Sequence, residues 1–121
     1  MENTKKDLSE RFIEFSASVI NLLSTLPDGF ASRRISNQLI RSTMSVGANY
    51  EEAKGADSRA DFCHKLQISF KEMREARYWL VLASKTIHKN PDEMKSIIDE
   101  ATQLRAILGK SVATATGTAK N

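Results

Sequence analysis

Residues 58–88 carry the longest helical pattern in this chain, and the other segments must pack against it. Ser58 is a typical N-cap residue, and Asp61 follows in the first turn. Because neither proline nor glycine interrupts the segment, it predicts a single helix about 45 Å long at 1.5 Å per residue. The apolar stripe that we expect to face the core repeats at three- and four-residue steps. It consists of Phe62, Leu66, Ser69, Phe70, Met73, Leu80, Ser84 and Ile87.

Three further segments show the same helical periodicity. The two prolines and three of the five glycines fall outside the interiors of the periodic segments, which favours an all-α chain. Short connections between helices favour an antiparallel up-down-up-down four-helix bundle, here a single domain of 121 residues. The predicted helices cover residues 7–26, 31–54, 58–88 and 91–110, with flexible tails at residues 1–6 and 111–121.

Three of the predicted helices carry apolar residues away from the core stripe, including a flank of the third helix. In the second helix Met44 lies opposite Leu39 and Val46, and in the first helix Ile13 and Ile20 stand off the seam. Because a surface helix needs only one apolar stripe, a second predicts either a subunit contact or crowded packing within the chain. We expect a homo-oligomer. The candidate interface residues are Ile40, Met44, Ile68, Trp79 and Leu82.

The sequence lacks the patterns that catalytic and metal sites need. A dinuclear carboxylate centre in a helical bundle requires Glu-x-x-His elements, and the nearest spacing here is Asp61-x-x-His64. Cys63 and His64 are neighbours and diverge by about 100° on a helix, a poor geometry for a thiolate–imidazole pair. We therefore expect no enzyme, no metal and no cofactor, with a carboxylate-metal enzyme as the remaining alternative.

Cysteine content and hydropathy bear on location. The single cysteine, Cys63, cannot form an internal disulfide and suits a reducing compartment. Residues 1–7 contain no hydrophobic signal segment, and no apolar run approaches the ~20 residues that span a bilayer. We expect a cytoplasmic protein with no membrane partner.

Two groups of cations and one tyrosine are candidates for binding nucleic acid. The chain has a formal net charge of +3 and a pI near 9.1. Evenly spaced cations around an aromatic side chain suit phosphate contacts and base stacking. The alternative is a solubilising face that neighbouring glutamates neutralise. The candidates are Arg33, Arg34 and Arg41 on the second helix, and Lys71, Arg74, Tyr78 and Lys85 on the third.

Motifs on the second and third helices resemble a known bacterial family. The second helix reads RSTMSVGANYEEA over residues 41–53, which fits an Arg-x-x-x-Ser-[Ile/Val]-x-Ala-Asn pattern. The third begins with SRADF at 58–62 and continues with KEMREARYWL at 71–80. These residues resemble the four helix bundle proteins, also called 23S rRNA intervening-sequence proteins, and the likeness covers about residues 8–108. Gly47 replaces a proline that many members carry.

The resemblance implies a closed four-helix bundle that assembles as a ring-like homopentamer, which agrees with the second apolar stripe. Genes for some members lie within intervening sequences of large-subunit ribosomal RNA genes, so it also implies an RNA-related role. The family supplies no catalytic residues. Our first hypothesis is a non-enzymatic oligomer that binds RNA or another nucleic acid through its basic face. Our second is a protein-interaction scaffold that docks a protein partner without nucleic acid, because fold alone does not fix function.

Overall fold

A computed structural model describes residues 7–87 and 90–117 of the chain. This part contains four α-helices with short connections and no β-strand, which confirms the all-α prediction. No helix within it is both long enough and apolar enough to cross a membrane. The helices are α1 (Leu8–Leu23), α2 (Phe30–Lys54), α3 (Arg59–Thr86) and α4 (Pro91–Ala115).

Side-chain caps fix three of the four helix starts. In each case a short polar side chain accepts a hydrogen bond from a backbone N–H in the first turn, which would otherwise lack a partner. The fourth start, at α2, follows Gly29 with φ 154°, a conformation that residues with a side chain rarely adopt. The bonds run from Glu10 N–H to Asp7 (2.8 Å), from Asp61 N–H to Ser58 (3.0 Å) and from Glu93 N–H to Asn90 (3.1 Å).

The first helix is shorter than predicted and ends at Leu23 instead of residue 26. Beyond it, the N–H of Thr25 donates to Leu22 (3.0 Å), and the N–H of Leu26 donates to Leu23 (3.3 Å). Each bond spans three residues, so the chain tightens into a turn before Pro27, which disfavours a helical residue in front of it.

The fourth helix is longer than predicted and ends at Ala115. Residues 111–115 are therefore helical, although their composition predicted a flexible tail. Val112 and Ala115 pack against the core, and the carbonyl of Ala115 accepts a hydrogen bond from Arg59 Nη2 (2.9 Å). Tertiary contacts thus stabilise a helix end whose local signals are weak. The predicted end of the third helix at His88 and the predicted tail residues 1–6 and 118–121 lie outside the described residues.

The helices surround one core in the order α1, α2, α3, α4. Helix α3 packs against α2 and α4, and α1 packs against the same two helices. In the described residues α1 makes no close backbone contact with α3, nor does α2 with α4. The surface between α1 and α2 and the surface between α3 and α4 therefore lie on opposite sides of the molecule.

The apolar stripes meet in this core. Each large apolar side chain buried there contributes about 1.5–3 kcal/mol. Of the stripe predicted on α3, Leu66, Ser69, Met73 and Leu80 are buried, and the other members are half-buried at its edges. The hydroxyl of Ser69 donates to the Val46 carbonyl of α2 (2.8 Å). The large apolar side chains that are fully buried are Phe12, Val19, Leu39, Val46, Met73, Leu80, Leu104 and Leu108.

Candidate nucleic-acid interface

A groove between α3 and α4 gathers much of the positive charge of α3. It encloses about 500 Å³. Its polar lining is Lys71, Arg74, Glu75, Arg77 and Tyr78 from α3, together with Arg105 from α4. Four of these six side chains are cationic and only one is a carboxylate. The Tyr78 ring is 59% exposed. The groove therefore offers an array of cations beside an accessible aromatic face.

Contacts between α3 and α4 hold the groove in shape. Arg77 Nε donates to Thr102 Oγ1 of α4 (2.8 Å). The Arg74 guanidinium lies 5.7 Å from the centroid of the Phe70 ring, within the range of a cation–π contact. Phe70 in turn packs against Gly109, where an added Cβ would come within 3.2 Å of the ring. Gly109 therefore allows the close approach of the two helices beside Arg74.

A network between α2 and α3 supports Tyr78 from behind. Arg41 donates to Glu75 Oε2 (2.5 Å) and to Glu72 Oε1 (3.4 Å). Trp79 Nε1 donates to the same Glu75 oxygen (3.0 Å), and the Tyr78 ring contacts Trp79 edge-on at 5.0 Å between centroids. Glu72 is 8% exposed, so the network reaches the core. Tyr78 thus packs against a tryptophan that this hydrogen-bond network holds in place.

The same network shifts the pKa values of Glu75 and Arg41. The hydrogen bond from Trp79 lowers the pKa of Glu75, and the hydrogen bond and charge of Arg41 lower it further, against the opposing effect of burial. In return, the hydrogen bond to Glu75 raises the pKa of Arg41. Glu75 is therefore ionised at neutral pH, and much of the charge of Arg41 is neutralised within the chain.

The remaining predicted nucleic-acid residues lie outside the groove. Arg33 Nη1 is 3.6 Å from Asp28 Oδ1, but both side chains are largely exposed, so the pair contributes little. Arg34 is exposed in the first turns of α2, and Lys85 is exposed in the last turn of α3. The structure thus brings together three of the seven predicted residues, Lys71, Arg74 and Tyr78, and adds Arg77 and Arg105. No pattern within a single helix could reveal Arg105.

A second groove, between α1 and α2, is almost entirely apolar. It encloses about 440 Å³, and Ala17 and Gly47 are among the small residues in its lining. Ile13 is 69% exposed, Ile20 44% and Met44 57% along its length. Small residues between large apolar ones allow a partner helix to approach closely. Of the predicted interface residues only Met44 lies in this groove.

The other predicted interface residues are more enclosed. Ile40 and Ile68 are half-buried. Trp79 and Leu82 pack against the core of their own chain, which leaves each of them less surface for a subunit contact than the sequence suggested. The flank of α3 is therefore a weaker interface candidate than the α1–α2 groove.

The residues weighed for metal binding or nucleophilic chemistry are dispersed. Among residues 7–87 and 90–117, no three histidine, cysteine, aspartate or glutamate side chains gather at a distance suited to one metal ion. Asp61 belongs to the first turn of α3, and His64 is exposed. The Cys63 thiol donates to the Ala115 carbonyl at 3.4 Å.

These features define an all-α protein of four packed helices with a basic groove on one side and an apolar groove on the other. Its sequence matches the family described as 23S rRNA-intervening sequence protein over residues 5–110. The chain therefore belongs to that family, which confirms the resemblance carried by the motifs on α2 and α3.

A solved structure supports the same assignment. It is a protein of unknown function from the S23 ribosomal protein family of Bacteroides thetaiotaomicron VPI-5482. The two chains are 33% identical and superpose with a TM-score of 0.78, over 88% of this chain and 98% of the other. A comparison with proteins of curated function gives no significant match.

Proposed function

We propose that this protein is a non-enzymatic, cytoplasmic homo-oligomer that binds RNA or another nucleic acid through the α3–α4 groove. The observation that carries the proposal is the convergence of four cations from two helices around the exposed Tyr78 ring. Cations spaced along a groove pair with successive phosphates, and an exposed aromatic ring stacks on an unpaired base. The family description, which names an rRNA intervening sequence, supports RNA as the first ligand to test.

The proposed assembly is an antiparallel up-down-up-down bundle that forms a ring-like homopentamer. Two ion pairs between α2 and α3 support the antiparallel order. Glu52 near the end of α2 pairs with Lys65 near the beginning of α3 (2.7 Å). Arg41, earlier in α2, pairs with Glu75, later in α3. The α1–α2 groove supports self-association, because contiguous exposed apolar surface on a soluble protein marks an interaction site. The number five rests on the family resemblance.

The test compares two double charge reversals with the same net change. Lys71→Glu/Arg74→Glu alters the groove, and Arg33→Glu/Arg34→Glu alters exposed cations outside it. Binding of a fluorescently labelled RNA hairpin with a single-stranded loop is measured by anisotropy over a series of salt concentrations. The chain has one tryptophan, Trp79, which contacts Tyr78, so its fluorescence gives a second readout at the groove itself.

We expect the groove variant to lose RNA binding and the control variant to keep most of it, while both retain their helices by circular dichroism. With the wild type, log K should fall linearly with log salt, with a slope of about −0.7 to −0.9 per contacted phosphate. Equal losses in both variants would indicate diffuse electrostatic attraction. Unchanged binding by the groove variant would refute the location.

The apolar α1–α2 groove also favours a second candidate function, a scaffold that docks a protein partner. Light scattering of the purified protein, before and after nuclease treatment, separates the two candidates. A particle of pentamer size supports nucleic-acid binding if nuclease treatment lowers both its mass and its ratio of nucleic-acid to protein absorbance. A partner protein that stays bound after nuclease, and that Met44→Glu releases, supports the scaffold instead.

A further inference from the structure

A third pocket lies at the end of the bundle where α2 ends, α3 begins and α4 ends. It encloses about 550 Å³ and shares no lining residue with the α3–α4 groove. Pockets of about 300–1,000 Å³ are typical of small-molecule sites. The apolar part of its lining is Tyr50 of α2, Phe62 and Leu66 of α3, and Ile107 of α4. Leu66 is 3% exposed, so the floor of the pocket is the edge of the hydrophobic core.

Three cations line the same pocket, one from each helix: Lys54, Arg59 and Lys110. In the described part of the chain no carboxylate side chain is among the lining residues. Arg59 is held in place, because its Nη2 donates to the Ala115 carbonyl (2.9 Å) and its guanidinium lies 5.8 Å from the Phe62 ring. A fixed guanidinium beside an apolar floor is a favourable place for an anionic head group.

The other two cations differ in how much of their charge is available. Lys54 Nζ donates to Ser9 Oγ (2.7 Å) and lies 3.9 Å from Glu51, which compensates part of its charge. Lys110 is exposed and forms no ion pair within the described residues. Burial raises the pKa of Tyr50, so the phenol stays neutral and does not repel an anion. Arg59 and Lys110 are therefore the cations of the rim whose charge is most available to an anionic ligand.

We propose that this end pocket binds a small amphipathic monoanion, a carboxylate with an apolar chain of medium length. The chain of the ligand lies on the floor formed by Phe62, Leu66 and Ile107, and its carboxylate pairs with Arg59 and Lys110 at the rim. A nucleic-acid backbone would use the cations but leave the apolar floor bare, so the pocket favours an amphipath. The site is independent of the nucleic-acid groove.

The test uses octanoate as the probe, with 1-octanol as the uncharged analogue and acetate as the head group alone. Each is titrated into the full chain and followed by calorimetry and by amide chemical shifts. Two variants address the two halves of the site. Ser111→Phe fills the pocket with a ring, and Lys110→Gln removes one cation from the rim. Lys95→Gln, on the same helix but outside this pocket, is the matched control.

We expect octanoate to bind with saturation at one molecule per chain and to shift the resonances of Tyr50, Phe62 and Ile107. Because a charge-assisted hydrogen bond is lost in each case, the wild type should bind 1-octanol, and Lys110→Gln should bind octanoate, at least about tenfold more weakly. Ser111→Phe should abolish binding, and Lys95→Gln should leave it unchanged. The proposal is wrong if octanoate shifts none of these resonances, if 1-octanol binds equally well, or if acetate binds as tightly as octanoate.

Discussion

Thr43 lies in the middle of α2 with a side chain that is completely buried, and its Oγ1 has no hydrogen-bond partner among the described residues. The neighbouring Ser42 is equally buried but donates to the carbonyls of Gln38 (3.0 Å) and Leu39 (3.2 Å). Thr43→Val keeps the shape and β-branching of the side chain and replaces the hydroxyl with a methyl group. We expect it to stabilise the protein.

The magnitude follows from the cost of the buried hydroxyl. A polar group buried without a hydrogen bond costs about 1–3 kcal/mol in protein substitutions. Valine and threonine have nearly the same helix propensity, so that term cancels. We expect Thr43→Val to raise the free energy of unfolding by about 1–2 kcal/mol. For a chain of this size, that corresponds to an increase in Tm of about 4–8 °C.

The assay is urea and thermal unfolding followed by circular dichroism. Wild type and variant are compared at one protein concentration, because the stability of an oligomer depends on concentration. Ser69→Ala is the control: it removes the hydroxyl that bonds Val46 across to α2, and it should lower stability by about 1 kcal/mol. If Thr43→Val is less stable than the wild type, the hydroxyl has a hydrogen-bond partner and the reasoning is refuted.

Two further predictions concern the grooves. Because the folded-state pKa of Glu75 is lowered, its ionised form stabilises the protein above the unfolded-state pKa, and this contribution is lost as the pH falls through the folded-state value. The difference in free energy of unfolding between wild type and Glu75→Gln should therefore be complete at neutral pH and shrink below pH 4.5, the ordinary pKa of glutamate. Trp79 fluorescence should change over the same pH range, because Trp79 donates to Glu75. A difference that stays constant with pH would contradict the pKa argument. Met44→Glu places a charge in the α1–α2 groove and should reduce the particle size measured by light scattering. The control Asn37→Glu, on the same helix but outside that groove, should leave the particle size unchanged. If Met44→Glu also leaves it unchanged, this groove is not the subunit interface.

Local signals were sufficient for the helix starts and for the end of α2 at Lys54, but insufficient for the ends of α1 and α4. Ser58 and Asn90 act through a bond to a backbone group three residues away, so the sequence alone identifies them. The end of α4 depends instead on contacts from Arg59 and Cys63 to Ala115, more than fifty residues earlier in the chain. No pattern within residues 111–115 carries that information.

The candidate site divides in the same way. Lys71, Arg74 and Tyr78 share a face of one helix, so helical periodicity predicted their proximity. Arg105 joins them only because α4 packs against α3, which fixes its rotation about its own axis. Arg41 was predicted to face a ligand, but its charge is directed at Glu75 of α3, a partner that only the packing of α2 against α3 reveals.

The placement of the two grooves has a consequence for RNA binding by the proposed oligomer. Since α1 and α2 lie opposite α3 and α4, the α1–α2 groove can take part in a subunit contact without using the basic groove of the same copy. In a proposed oligomer whose basic grooves are exposed, each copy would present the same cations around Tyr78 to one RNA molecule. Linked sites bind a long ligand about 10²–10⁴-fold more tightly than one site does, provided that the ligand can span them. A modest groove on a small bundle can therefore support tight binding to a long RNA and weak binding to a short oligonucleotide, because assembly supplies the affinity that four cations in one chain cannot.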